Sequence, residues 1–280
     1  MLLFELLGIS ATLCYVLALA KKHHDRRHFL LWSVFVSTAG WMTEETCIRL
    51  YAFYDYGQGW HLSLSRMPLL VILVWPVIIR SAGDLASQLL GCGHRLVPLA
   101  AGGIVLSDAA LIETAAVRSG FWAWHAPGIF DVPLIGILGW AIFAFLCLFL
   151  FEKGRERCRR LLFSVLVLFL PPLGTHLLLL ISWWGIFRWF NLPVQPEAAT
   201  AAAWVVSLGL VIASMRFRAG RRVKKRTLLL RLPAGLFFLA LLFANADGSA
   251  PLIFFGAAFL PPYLALMAQQ FLVRHKPQEG

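Results

Sequence analysis

With 280 residues, 60% of them hydrophobic, and a mean hydropathy of +0.76, the chain is too apolar for a water-soluble domain, where about 45–50% is usual. Its net charge of +11 does not point to nucleic acid, because the basic residues cluster between apolar runs, as juxtamembrane charge does. The five cysteines (Cys14, Cys47, Cys92, Cys147, Cys158) are scattered without CxxC or Cys/His ligand spacing, so neither a disulfide framework nor a metal site is indicated.

A membrane-spanning helix needs about 20 mostly apolar residues. Nine stretches qualify, in chain order 2–20, 29–53, 67–90, 96–117, 132–151, 161–187, 198–215, 227–245 and 250–272. The first has no basic segment before it and no small-residue cleavage site, so it is expected to be a retained helix rather than a signal peptide. The second is apolar only as far as Met42 and then turns polar. The third and ninth carry Pro76 and Pro261-Pro262, which a membrane helix tolerates as kinks where neighbours satisfy the freed carbonyls. The connections are too short to fold alone and no internal repeat is apparent. Residues 1–280 are therefore expected to form one all-α domain, a polytopic integral membrane bundle of about nine transmembrane helices.

Positive charge predicts its orientation. With the N-terminus outside, twenty-one of the 25 Lys and Arg fall on the cytoplasmic side. Only Arg49, Arg66, Arg118 and Arg188 fall outside. The expectation is a multi-pass protein of the cell inner membrane, N-terminus out and C-terminus in.

The stretch from Ser107 to Trp140 organises the rest. It leaves an apolar helix carrying Asp108 and Glu113 at Gly120, crosses Trp122, Trp124 and His125, turns at Asp131-Val132-Pro133 and re-enters an apolar segment. At about 1.5 Å per residue, Glu44 lies roughly 22 Å along its helix from Phe29, Asp108 roughly 18 Å and Glu113 about 26 Å from Leu96, and His176 roughly 22 Å from Leu161. These groups thus reach similar depth, at the face where the aromatic loop joins. Ionisable groups at that depth face a bundle interior and mark function. Each has a structural reading beside the functional one. Glu45 can pair with Arg49 at i,i+4, and His176 can bond a carbonyl freed by Pro171-Pro172. Trp122, Trp124, Trp183 and Trp184 can form an interfacial belt. Asp108 and Glu113, about 140° apart round a helix, need not share a face. No nucleophile signature, phosphate-binding glycine loop or HExxH pair occurs, so the chemistry indicated is acid/base work by carboxylates in an apolar cavity.

Asp108, Glu113, Gly120-Phe-Trp122-Ala-Trp124, Val132-Pro133-Leu134 and Gly139-Trp140, with Glu45, Tyr54-Asp55-Tyr56, Pro68-Leu69 and Trp75 before them, resemble the carotenoid-biosynthesis membrane proteins. That family includes hydratases of ψ-end carotenoids, the γ-carotene hydroxylase and bisanhydrobacterioruberin hydratase type. The resemblance spans roughly 44–140. The chain departs from it at Ile135-Gly136-Ile137-Leu138, where the family has an Asn-Phe pair before Gly-Trp. The resemblance implies a carotenoid hydratase, a lyase that takes a lipophilic carotenoid from membrane lipid and needs no cofactor. Its catalytic residues would come from Asp108, Glu44, Glu45 and Glu113. The substrate cavity would be lined by Trp122, Trp124, His125, His176, Tyr54 and Trp140. A competing resemblance is to CAAX-type intramembrane proteases, through Glu44-Glu45-x-x-x-Arg49 and Phe121-x-x-x-His125; their third motif fails, since Leu180 stands four residues after His176. A non-catalytic lipid or carotenoid binder is the third reading.

Overall fold

A computed structural model describes residues 1–21, 26–157, 160–182, 185, 192–216 and 223–272. Trp183 and Trp184, and part of the basic segment after Arg216, lie outside the described residues. The architecture is helical: α1 (Leu2–Ala20), α2 (Arg26–Arg49), α3 (Leu69–Leu90), α4 (Val97–Arg118), α5 (Leu134–Arg157), α6 (Arg160–Ser182), α7 (Pro196–Arg216), α8 (Lys225–Ala244), α9 (Ala250–Ala257) and α10 (Leu260–Leu272). Six helical stretches among the described residues are long and apolar enough to cross a membrane, so the chain is a multi-pass membrane protein. Each of the nine apolar stretches holds helix, and the ninth is broken into α9 and α10 just before Pro261-Pro262.

The second stretch ends earlier than its hydropathy suggests. α2 stops at Arg49 and Ala52, at φ +49°, turns the chain out of it. Beyond that turn the chain is extended: β1 (Tyr54–Tyr56), β2 (Ser63–Leu64) and β3 (Met67–Pro68), with β4 (Trp122–Trp124) after α4. β2 and β3 form a small hairpin, and β1 pairs antiparallel with β4, Tyr54 opposite Trp124 and Tyr56 opposite Trp122. The expected loop is therefore a two-stranded ribbon. Alternating aromatics favour this, because they suit a pleated, half-buried surface.

Helices α2, α3, α4, α5 and α6 each pack on the next, and α6 returns to pack on α2, closing a five-helix ring. Small residues let them approach. A Cβ on Gly40 would come within 2.5 Å of the Trp75 ring, and one on Gly102 within 3.1 Å of the Ala141 carbonyl. The main core fills the ring with Trp32, Val36, Trp75, Ile79, Val105 and Phe143. Outside it, α1 lies on α3 and α2, and α8 lies on α4 and α3; α7 packs on α9 and α10.

α1 is anchored by an acid that hydropathy alone does not single out. The Glu5 carboxylate is fully buried and accepts the backbone N–H groups of His61 (2.9 Å) and Leu62 (2.8 Å). Three of the groups expected to share a site are placed apart from the ring's interior. Glu45 accepts from Arg49, its i,i+4 partner, and from the Ser65 hydroxyl (2.6 Å), so it fastens the β2–β3 turn to α2. His176 has both ring nitrogens buried without a hydrogen-bond partner, and its ring meets the Tyr51 ring edge-on at 5.5 Å. The expected bond to a freed carbonyl is not made.

Asp108 forms a polar knot with the C-terminal helices. Arg231 on α8 pairs with it and donates to Ser81 Oγ on α3 (2.7 Å) and to the Tyr263 hydroxyl on α10 (2.9 Å). Tyr263 donates in turn to the second Asp108 oxygen (3.1 Å). Arg231, which the charge pattern assigns to the cytoplasmic side, is therefore a buried partner inside the bundle, its side chain 8% exposed. That correction leaves the charge asymmetry almost unchanged.

Candidate active site

The ribbon and the ring build one constellation. In a strand, alternate side chains face the same way. Tyr54 and Tyr56 thus point inward from β1, Trp122 and Trp124 inward from β4, and Asp55 and Ala123 outward. Two carboxyls meet the inward set. Glu44 on α2, 8% exposed, accepts from the hydroxyls of Tyr54 and Tyr56, the latter at 3.1 Å. Glu113 on α4, 2% exposed, accepts from the indole N–H groups of Trp122 (2.7 Å) and Trp124 (2.9 Å). In each case both donors converge on one oxygen, Oε2, so Oε1 takes none of these four bonds. The Trp75 N–H also faces Glu44 but stops short of a hydrogen bond.

The helix ends explain why the ribbon sits there. α4 ends at Arg118, and two residues on Gly120 takes a φ of +71°, which suits glycine. Phe121 N–H then bonds back to the Ala116 carbonyl (2.9 Å), which sends the chain into β4. At the far side, Phe130 and Asp131 take positive φ in a tight turn, and Asp131 pairs with Arg118 at 3.0 Å. Trp124 is held from beneath by Gly136: a Cβ there would lie 2.5 Å from the indole ring.

Glu44 and Glu113 line one cavity of about 50 Å³, with Tyr54, Tyr56, Trp75, Trp122, Trp124 and Trp140 among its walls. That volume suits a water molecule or two. All five ring helices contribute: α2 by Glu44, α3 by Trp75, α4 by Glu113, α5 by Trp140 and α6 by Thr175. Burial, together with the Glu44 carboxyl, pushes the Tyr54 and Tyr56 phenols well above their ordinary range, so both remain proton donors.

Of the residues singled out in the sequence, Glu44, Glu113, Tyr54, Trp122, Trp124 and Trp140 come together here. Asp108, Glu45, His125 and His176 are not among the residues lining the cavity. The common cavity expected for Glu44, Asp108 and His176 is replaced by one shared by Glu44 and Glu113. His125 lies on the ribbon's outer side, bonded to the Ala52 carbonyl (2.6 Å) and to Asp55 (3.0 Å). Tyr56 and Thr175 were missed. Tyr56 was within reach, since Tyr-x-Tyr and Trp-x-Trp alternate as paired strands do. Thr175 gave no sequence signal.

A family model described as "Carotenoid biosynthesis protein" matches residues 1–192. No curated protein and no solved structure matches the chain. The ring and the ribbon lie wholly inside the matched segment, and helices α7 to α10 lie beyond it.

Proposed function

The chain belongs to the carotenoid biosynthesis protein family, and from that premise we propose that its buried acid pair hydrates the terminal double bond of a ψ-end carotenoid within the membrane. The observation that carries this reading is the meeting of two carboxyls from separate helices in one aromatic, water-sized cavity.

Hydration of a trisubstituted alkene needs a proton donor, support for a tertiary cation, a water and an acceptor for that water's proton. Glu44 suits the donor. Its phenol partners can accept as well as donate, so they stay bonded to it in either protonation state. Glu113 suits the acceptor, because indole N–H groups only donate and therefore favour the carboxylate. The alkene π pair takes the Glu44 proton at its less substituted carbon, which leaves the cation at the tertiary carbon. The faces of the surrounding indoles and phenols stabilise that cation. A water lone pair then forms the C–O bond, and the proton it sheds passes to Glu113. Return of a proton from Glu113 to Glu44 through cavity water closes the cycle, and neither oxidant nor reductant is consumed. Expression in a host that makes acyclic or monocyclic carotenoids tests this. Pigments heavier by one water are expected, and unchanged pigment would leave the protease reading and the non-catalytic carotenoid binder.

The competing protease reading needs His125 at the reaction centre. In the hydratase reading it only ties the ribbon's outer side, so His125→Ala is expected to leave turnover intact and to cost about 0–1 kcal/mol, as exposed pairs do. Pigment yield and thermal unfolding in detergent check this. Complete loss of activity in a folded His125→Ala protein would return weight to the protease class.

The membrane orientation belongs to the same reading: nine spans, inner membrane, N-terminus out, with segment 120–131 on the periplasmic side and 216–226 on the cytoplasmic side. It rests on the charge asymmetry. Single cysteines placed in the two segments of a Cys-free protein should label from opposite sides. Labelling of both from one side would sink it.

A further inference from the structure

Thr175 is fully buried on α6 and lines the cavity that holds Glu44 and Glu113. Its hydroxyl has no hydrogen-bond partner. Five other helix threonines avoid that state by bonding the carbonyl four residues back: Thr38, Thr43, Thr46, Thr114 and Thr200, at 2.7–3.0 Å. Thr175 departs from these five where it lines a water-sized space. A buried hydroxyl left unsatisfied is costly, and a molecule in that cavity removes the cost.

We propose that Thr175 is a positioning residue that binds the nucleophilic water on the α6 side of the cavity. The inference rests on the hydratase reading and adds to it the group that aims the water. A hydroxyl oxygen has two acceptor lone pairs. The water donates one hydrogen to Thr175 Oγ1 and the other to Glu113, through the Oε1 that neither Trp122 nor Trp124 bonds. One of the water's own lone pairs is then free to face the cationic carbon. On C–O bond formation the proton shared with Glu113 is the one transferred, and the hydrogen on Thr175 stays with the new alcohol. Without this hold the cation still forms, but it returns its proton and reverts to alkene.

The experiment uses membranes carrying the full chain, a ψ-end carotenoid and deuterated water. Two signals are read: hydrated product, and deuterium in recovered alkene or its double-bond isomer. Thr175→Val removes the hydroxyl at nearly constant shape. It should lower hydrated product on the order of 100-fold, as misplacement of a reactant does, while deuterium exchange persists. Thr175→Ser should restore hydration. Exchange without hydration cannot arise from an unfolded protein, so this outcome supports the proposal directly. Full hydration by Thr175→Val, or parallel loss of hydration and exchange with no rescue by Ser, would overturn it. A native protein that neither hydrates nor exchanges would overturn the hydratase reading itself.

Discussion

Glu44→Gln and Glu113→Gln are each expected to lower hydrated pigment by about 10²–10⁴-fold, the usual contribution of a positioned acid or base, while the protein still inserts and accumulates. The amide keeps the shape of the carboxyl and one oxygen that can accept, so the phenol and indole contacts at Oε2 survive in outline. What it cannot do is deliver a proton to carbon or take one from water. The two variants should also differ. Glu44→Gln blocks cation formation, so deuterium exchange into the alkene disappears with hydration. Glu113→Gln leaves the donor in place, so exchange should outlast hydration. Pigment mass spectra read both quantities. Full turnover by both variants would show that these acids do not perform the chemistry.

The second large effect concerns Asp108 and is expected in stability rather than in chemistry. Asp108→Ala removes the partner of Arg231, a side chain 8% exposed and hydrogen-bonded to Ser81 and Tyr263. Breaking a buried pair from one side costs about 3–5 kcal/mol, because the remaining charge stays uncompensated. The double variant Asp108→Leu/Arg231→Met should recover most of that loss, since apolar replacement of a whole buried pair is close to neutral. Thermal unfolding in detergent measures each. Turnover per folded molecule should be unchanged in the double variant. A stable double variant without activity would restore Asp108 to the catalytic role that its depth in the sequence suggested.

That contrast shows how far the sequence could be read. Apolar length locates helices well, because a span of fixed thickness needs a run of fixed length. Depth follows from the same 1.5 Å rise, which is why Glu44 and Glu113 could be picked out. Depth says nothing of direction round the helix. Asp108 and Glu113, 140° apart, face different neighbours: Glu113 the aromatic ribbon, Asp108 the helices α8 and α10. Only the fold could tell which acid faced the cavity. Arg231 misled for a related reason, since a basic residue less than two turns into its helix reads like its juxtamembrane neighbours until its partner is known. The ribbon was hard to see because three-residue strands are shorter than the runs that establish periodicity, and only the Tyr-x-Tyr and Trp-x-Trp alternation hints at it. Thr175 was hidden because its distinction is an unmade bond, which no residue type announces.

The ribbon has a further consequence, one of symmetry. An acid late in a helix, followed about ten residues later by aromatic-x-aromatic, occurs twice: Glu44 with Tyr54-Asp55-Tyr56, and Glu113 with Trp122-Ala123-Trp124. Antiparallel pairing relates the two by a local two-fold axis through the Asp55–Ala123 pair. The cavity thus joins two half-sites of one plan, α2 with β1 and α4 with β4. Each acid draws its donors from the strand next in the chain after its own helix. What breaks the equivalence is the donor, phenol on one half and indole on the other. A symmetric pair of acids would have no preferred direction for a proton, whereas here the phenol half stays bonded in either protonation state and the indole half favours the carboxylate.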